Sequence, residues 1–221
     1  MWDDVSHDPY DALRLPGHGN RRPTKTNQFG DVVTELATDI AAPCHLIGYS
    51  MGARIALALA LLQPDKCSSL LLIGATAGIR DEERTERRAW DEFNAQMLEQ
   101  HGVAGFVDHW EQLPLFETQK RLSTQVRRRI REHRLAHDAA GLAWAMRVLG
   151  AGNMPSMWNQ LATLHVPTRL VCGALDAKYV DLSERMRALL PNASIRVVDA
   201  VGHNVVLEAP AVVAEEIARL A

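Results

Sequence analysis

The feature that most constrains this sequence is the pentapeptide GYSMG at residues 48–52. A short apolar run precedes it and an Ala- and Leu-rich run of helical period follows it, which indicates a sharp turn from a strand into a helix. Glycine at both ends would let the backbone turn tightly and raise the hydroxyl of Ser50 above a sheet. The motif predicts a nucleophilic Ser50 and an amide of Met51 that stabilises developing negative charge at the positive end of the helix. The structural alternative is a Ser50 that only caps the helix.

A base and an acid for this serine follow later in the chain. A serine hydroxyl needs a general base, the base needs an acid that orients it, and the order expected after such a turn is Ser, Asp, His. Asp176 follows the strand-like run TRLVCGAL, and His203 lies between the strand-like run IRVVD and the last predicted helix. Both positions are at the carboxyl ends of predicted strands, where α/β sheets collect functional loops. The sequence therefore predicts a triad of Ser50, Asp176 and His203.

Other histidines and carboxylates are weaker candidates. His18 lies in a glycine-rich turn and His45 lies inside a predicted strand, so neither is well placed as the base. The lesser alternatives to Asp176 as the acid are Asp181, Asp199 and Glu208. His133 and His137 are four residues apart on a predicted helix, but no neighbouring carboxylate pattern completes a metal site, so solvated side chains are expected. No metal and no cofactor are predicted.

Strand-like and helix-like runs alternate along most of the chain, which favours a parallel sheet covered by helices. The predicted strands are Tyr10–Leu15, Cys44–Tyr49, Ser68–Ala75, Thr168–Ala174 and Ile195–Asp199. The predicted helices are about Gln28–Ile40, Met51–Leu62, Leu182–Leu190 and Ala211–Leu220.

One segment, from Asp81 to about Leu161, has helix-like stretches and no convincing strand. Gly102 and Gly141 are candidate breaks between its helices, and GAGNMP at 150–155 is a predicted loop. We expect one domain with a core of residues 1–79 and 165–221 and a helical lid of residues 80–164.

Composition narrows the classes of partner. The net charge of −3 gives no basic field for nucleic acid, and the run RRRIREHR lies in a segment, Arg80 to Arg147, with twelve basic and twelve acidic residues. The longest apolar run, Ile55 to Leu62, is too short for a membrane-spanning helix, and the first ten residues lack a secretory pattern. Three cysteines without metal-ligand spacing favour reduced thiols and a cytoplasmic location. A small-molecule partner is expected; the oligomeric state is not predicted.

Four motifs together resemble the α/β-hydrolase family: LPGHG, GYSMG, GALD and GHN. The resemblance implies an α/β fold with a mostly parallel sheet, helices on both faces and a helical lid. The stretches GYSMGAR, GATAGI before EERTERR, HWEQLPLF and EHRLAH are further similar to the 2-succinyl-6-hydroxy-2,4-cyclohexadiene-1-carboxylate synthases of menaquinone biosynthesis. In that family the triad acts as a base, and pyruvate is eliminated.

The same resemblance implies a set of substrate contacts. Carboxylates of the substrate would bind Arg54, Arg87 (or its neighbours Arg84 and Arg88) and Arg134, and Tyr49 and Trp110 would line the pocket. Arginine suits this role because it binds carboxylates in a bidentate manner, and the alternative for each lid arginine, Arg87 included, is an ordinary i, i+4 ion pair. Two other functions stay open: a carboxylic-ester hydrolase of small substrates, and an inactive remnant or binding protein.

The family pattern also implies more sheet than this sequence contains. In the family, a strand ending in a His-Gly-aromatic motif precedes a segment similar to MWDDV, and it supplies the second oxyanion N–H. We expect an N-terminally truncated chain that lacks these strands. The alternative is that Tyr10–Leu15 pairs directly beside Cys44–Tyr49.

Overall fold

A computed structural model describes Trp2, Val5 and residues 10–220 of the chain. It contains two compact units. The sheet unit comprises Met1–Ala12, Leu36–Ala77 and Met157–Ala221, and the helical unit comprises Leu13–Glu35 and Gly78–Ser156. The boundaries of these units differ from those of the predicted core and lid, since residues 13–35 belong to the helical unit. The single-domain description with a lid over 80–164 stays a prediction.

Within the part of the chain that the structure describes, the sheet unit is built on four parallel strands in the order β1-β2-β3-β4. They are β1 (Cys44–Tyr49), β2 (Cys67–Ile73), β3 (Thr168–Gly173) and β4 (Ala193–Val198). Tyr49 is in register with Ile73, and Gly173 with Val198, so the carboxyl ends of the strands lie at one edge of the sheet. The loops that begin at Ser50, Gly74 and Ala174 therefore start side by side.

Helices follow the strands, as the alternation predicts. They are α1 (Phe29–Thr38), α2 (Met51–Leu62), α3 (Arg84–Trp110), α4 (Thr124–Leu135), α5 (Ala139–Leu149), α6 (Ala177–Leu189), α7 (Val205–Glu208) and α8 (Pro210–Ala218). Short 3₁₀ segments cover Pro64–Lys66, Asp81–Glu83, Pro114–Arg121 and Trp158–Thr163. The bounds of α2 are the predicted ones, whereas α6 begins five residues before the predicted Leu182.

The core of the sheet unit forms from apolar side chains of the strands and of the C-terminal helices. Leu71, Ile73 and Val171 are completely buried, as are Val205 and Val213. Burial of these side chains stabilises the packing of the flanking helices on the sheet, since each buried Val or Leu contributes about 1.5–3 kcal/mol to stability. No helix among the described residues is both long and apolar enough to cross a membrane.

The predicted strand Tyr10–Leu15 is wrong, because this segment is irregular. A strand needs a neighbour that accepts and donates its ladder hydrogen bonds. Within the described residues β1 pairs only with β2, so the proposed pairing of Tyr10–Leu15 beside β1 is wrong as well. Its apolar residues are not buried as a strand face either: Tyr10 is 44% exposed and Leu13 and Leu15 are half-buried.

The helical unit departs from the prediction at one of its two glycines. Gly102 interrupts α3 with a φ of 65° and a ψ of −177°, as expected for a break. Gly141 instead lies inside α5, and the break precedes it, because the side chain of Asp138 caps α5 by accepting a hydrogen bond from the Gly141 amide at 2.7 Å. The predicted loop at 150–155 is present.

Candidate active site

Three loops at the carboxyl edge of the sheet bring the predicted triad together. Nδ1 of His203 lies 2.7 Å from Oδ2 of Asp176, and Nε2 of His203 lies 3.1 Å from Oγ of Ser50. A carboxylate only accepts hydrogen bonds, so Nδ1–H donates to Asp176 and Nε2 accepts from the serine hydroxyl. The side chain of His203 is 1% exposed and that of Asp176 is 10% exposed. This geometry meets the distance requirement for base-assisted activation of Ser50.

The backbone at Ser50 has the strained shape of a nucleophile turn. Its φ is 51° and its ψ is −109°, in a region that non-glycine residues avoid. Ser50 precedes α2 directly, yet its side chain makes no capping hydrogen bond. The alternative of a serine that only caps the helix is therefore wrong: the hydroxyl points to His203, and Met51 begins the helix behind it.

Of the two glycines in GYSMG, only Gly48 is required by close packing. A Cβ atom at Gly48 would overlap backbone atoms of Gly52 and lie 2.6 Å from Cα of Ala53. A Cβ atom at Gly52 would meet nothing within 4 Å. The turn therefore requires glycine at position 48, because the first turn of α2 packs against the end of β1 there.

The loop that carries His203 is held by contacts that the sequence did not indicate. A Cβ atom at Gly173 would overlap the carbonyl oxygens of Val201 and Gly202, so the end of β3 must be glycine for this loop to approach. The carboxylate of Glu208 accepts a hydrogen bond from the Gly202 amide at 2.8 Å. Glu208 was a lesser candidate for the triad acid, and the structure places it behind the histidine loop instead.

Two aromatic rings lie close to the imidazole of His203. The ring centroid of Tyr179 is 4.4 Å from that of His203, and the ring centroid of Tyr49 is 5.4 Å away. A Cβ atom at Gly74, which has a φ of 58°, would be 3.0 Å from Cε1 of His203. Tyr49 is among the residues predicted from the sequence, whereas Tyr179 is not; the only sequence signal for Tyr179 is its position three residues after Asp176.

The comparisons with known proteins agree with this fold. The sequence profile described as "Alpha/beta hydrolase family" matches residues 2–216. The chain belongs to this α/β-hydrolase family. A Bacillus subtilis (strain 168) protein, provisionally named 2-succinyl-6-hydroxy-2,4-cyclohexadiene-1-carboxylate synthase, is 35% identical over 209 residues, which are 94% of this chain and 75% of the relative.

Solved α/β-hydrolase structures give the same result. MenH from S. aureus is 33% identical with a TM-score of 0.88, over 93% of this chain and 80% of that one. A thermophilic esterase from Thermogutta terrifontis is 25% identical with a TM-score of 0.78, over 93% of this chain and 76% of that one. The family resemblance of the sequence motifs is therefore confirmed.

Arg54 lies on α2 in the same unit as Ser50, Asp176 and His203. It is four residues after Ser50, its amide donates to the Ser50 carbonyl at 3.1 Å, and it is 7% exposed. A buried guanidinium keeps its charge and needs anionic or carbonyl partners. Its role as a carboxylate ligand stays a prediction.

The three predicted contacts in the helical unit have partners inside that unit. Nε of Arg87 pairs with Oδ1 of Asp91 at 2.9 Å, as the i, i+4 interpretation expects. Arg134 donates to Glu111 at 2.9 Å and to Gln119 at 3.0 Å. The ring of Trp110 packs on the rings of Phe106 and Phe116, with centroids 5.1 Å and 5.6 Å away. Substrate contacts from Arg87, Trp110 and Arg134 remain predictions.

Neighbouring arginines of the same helix also bind backbone groups. Arg84 donates to the Met154 carbonyl at 2.7 Å, and Arg88 donates to the Gly152 carbonyl at 3.0 Å. These contacts fasten the start of α3 to the loop at 150–155. Arg84 and Arg88 therefore have a structural role. Arg87 contributes to it indirectly, because its partner Asp91 accepts a hydrogen bond from the Gly152 amide through the other carboxylate oxygen, at 3.0 Å.

His133 and His137 do not lie on one helix as predicted. His137 lies beyond the end of α4 rather than on one helix with His133, and its Nδ1 accepts a hydrogen bond from the Gly19 amide at 3.0 Å. Burial lowers the pKa of His137, and the charges of Arg14 and His133 lower it further. Among the described residues, no group of three or more His, Cys, Asp or Glu side chains could hold a metal ion. His18 lies in the glycine turn and His45 in β1, as the sequence predicts.

Proposed function

We propose that this chain is a 2-succinyl-6-hydroxy-2,4-cyclohexadiene-1-carboxylate synthase whose triad acts as a base. The observation that carries the proposal is its similarity to the Bacillus subtilis relative along 94% of the chain, together with a hydrogen-bonded Ser50–His203–Asp176 array. The buried Arg54, one helical turn after Ser50, supports a substrate that bears carboxylates. We infer a cytoplasmic reaction, in line with three free cysteines.

In this reaction the serine relays a proton. The hydroxyl proton of Ser50 passes to Nε2 of His203 while Oγ takes a proton from carbon of the succinyl-cyclohexene carboxylate precursor. The electron pair left on carbon shifts through the ring double bond and breaks the C–O bond to the pyruvate unit. That unit leaves as its enolate and takes the proton from Nε2 of His203, so that pyruvate and a conjugated ring result. Asp176 stabilises the imidazolium that forms on His203, and the amide of Met51 and the positive end of α2 stabilise negative charge near Ser50.

Substrate orientation is assigned to five residues. Arg54 would bind a carboxylate beside the reacting carbon, and Tyr49 would line the site. Arg87 and Arg134 would bind further carboxylates, and Trp110 would supply an apolar contact. Each arginine that now pairs with a protein carboxylate would have to exchange part of that pairing for the substrate.

The direct test follows pyruvate release from the succinyl-cyclohexene carboxylate precursor by the purified chain. We expect turnover that falls by at least about 10³-fold in Ser50→Ala and is unchanged in Ser68→Ala, an exposed serine of β2 that serves as a matched control. Arg54→Gln should raise KM more than it lowers kcat, because it removes binding rather than proton transfer.

A second candidate is a carboxylic-ester hydrolase, which the similarity to the Thermogutta terrifontis esterase favours. The same triad would then attack an ester carbonyl through Oγ and form an acyl-enzyme. Hydrolysis of p-nitrophenyl acetate that requires Ser50, without pyruvate release, would replace the synthase by the hydrolase. Absence of both activities would leave the third interpretation, a protein without turnover.

A further inference from the structure

The imidazole of His203 is enclosed by groups from several elements of the sheet unit. Asp176 meets it from the loop after β3, Ser50 from the turn after β1, and Tyr49 from the end of β1. Tyr179 meets it from the first turn of α6. Glu208 of α7 binds the amide next to it, at Gly202, rather than the ring.

Tyr179 makes the closer of the two aromatic contacts. Its ring centroid lies 4.4 Å from that of His203, against 5.4 Å for Tyr49, and the planes are inclined by 50°. Centroid distances below about 6 Å bring a cation within range of the negative face of an aromatic ring. A neutral imidazole gains only packing from this contact, whereas an imidazolium also gains an electrostatic attraction.

The backbone fixes this ring relative to the triad acid. The amide of Tyr179 donates to the carbonyl of Asp176 at 2.9 Å, so both residues belong to one turn at the start of α6. The carboxylate of Asp176 lies 2.7 Å from Nδ1 of the imidazole, and the ring centroid of Tyr179 lies 4.4 Å from that of the same imidazole. One turn of backbone therefore presents a carboxylate and an aromatic ring to the same imidazole.

We propose that Tyr179 is a positioning residue that holds the imidazole of His203 in line with Ser50 and stabilises the imidazolium formed when Ser50 gives up its proton. The proposal rests on the proposed function only in requiring that His203 takes that proton, which is common to the synthase and the hydrolase. No substrate contact is assigned to Tyr179. The hydroxyl of Tyr179 is not needed for this role, because the aromatic face supplies the interaction.

Two substitutions separate the aromatic face from simple packing. Tyr179→Phe keeps the ring, whereas Tyr179→Leu keeps apolar bulk and helix propensity but has no aromatic face. We expect Tyr179→Phe to retain activity within about twofold. Tyr179→Leu should lower kcat by about tenfold with KM changed less than about twofold, since the lost attraction exists only once the imidazolium forms.

The pH dependence of kcat/KM distinguishes the proposed role of Tyr179 from a purely structural one, which would leave this dependence unchanged. Loss of the ring removes an attraction that exists only for the protonated imidazole, so in Tyr179→Leu the acid limb of kcat/KM should move to lower pH. In Tyr179→Phe the limb should stay in place. Equal effects of the two variants on kcat, or an acid limb that does not move in Tyr179→Leu, would overturn the proposal.

The test does not depend on which reaction the chain performs. If neither pyruvate release nor ester hydrolysis is detected, the titration of the His203 ring protons is followed by NMR in the wild-type protein and both variants. A titration midpoint that falls in Tyr179→Leu and not in Tyr179→Phe supports the positioning role while the proposed synthase function fails. A midpoint that is the same in all three proteins rejects the positioning role by itself.

Discussion

At the scale of single residues, Ser50 has a strained backbone conformation. A φ of 51° with a ψ of −109° is unfavourable for any residue with a Cβ atom, by about 1–3 kcal/mol. Two hydrogen bonds hold the residue there: its amide donates to Ile73 at 2.8 Å, and its carbonyl accepts from Arg54 at 3.1 Å. The strain places Oγ near His203 instead of in a helix cap.

Replacing Ser50 by Gly or by Ala should separate strain from chemistry. Both variants should lose triad activity, but Ser50→Gly should be more stable than Ser50→Ala by at least about 1 kcal/mol, since glycine adopts positive φ without strain. Urea unfolding measures the difference. At the exposed strand position Ser68 the same pair should differ in the opposite direction, because glycine weakens a strand by about 0.5–1 kcal/mol relative to alanine. A Ser50→Ala protein as stable as Ser50→Gly would contradict the strain.

At the scale of elements, the turn between β1 and α2 was predictable because its information is local. Periodicity and the two flanking glycines predict Cys44–Tyr49 and Met51–Leu62, and both elements have these bounds. The segment Tyr10–Leu15 has a similar pattern but is irregular, because a strand depends on a neighbour elsewhere in the chain. Local pattern thus predicts where a strand can form, and pairing decides whether it does.

Substitution of the two glycines of the turn should have opposite effects. In Gly48→Ala the new methyl group would overlap the backbone of Gly52 and Ala53, so we expect a loss of about 1–3 kcal/mol in stability and loss of activity. In Gly52→Ala the methyl group enters open space, and alanine favours a helix over glycine by about 0.5–1 kcal/mol. Thermal and urea unfolding of the two variants check this. A destabilised Gly52→Ala protein, or a Gly48→Ala protein as stable as wild type, would show that the turn is built differently.

The triad was predictable from the sequence, and its surroundings were not. Asp176 and His203 could be selected because they follow predicted strands, and parallel strands end at one edge of a sheet. His203 and its loop are also held by contacts with Tyr179, Gly173 and Glu208. These contacts depend on how the loops pack in three dimensions. Nothing in the local sequence of these three residues distinguishes them from an ordinary helix residue, strand end or surface acid.

At the scale of the sheet unit as a whole, one buried carboxylate joins the sheet to its C-terminal helix. Glu216 of α8 has a side chain that is 0% exposed and that binds Arg169 of β3, Arg196 of β4 at 2.9 Å and Arg219 at 2.6 Å. Burial raises the pKa of Glu216, but hydrogen bonds from Arg169 and Arg196 outweigh it and the net pKa is lowered. The ionised form is therefore the one that the folded protein favours.

The pH dependence of stability follows from this lowered pKa. The unfolded chain binds a proton at Glu216 at a higher pH than the folded chain does, so the contribution is complete above the ordinary glutamate range and is lost as the pH falls through the folded pKa. We expect Glu216→Gln to lower the free energy of unfolding by about 2–3 kcal/mol at pH 7, because a buried site loses its charge and three guanidinium groups lose their common partner. Urea unfolding between pH 7 and pH 3 should show a shallower decline in the free energy of unfolding for this variant than for wild type.

Glu215→Gln is the matched control. The side chain of Glu215 is 56% exposed and pairs only with Arg196 among the interactions described, so the effect of this substitution should stay within about 0.5 kcal/mol. Equal effects of the two substitutions would mean that charge at the end of α8, rather than the buried carboxylate, stabilises the sheet unit.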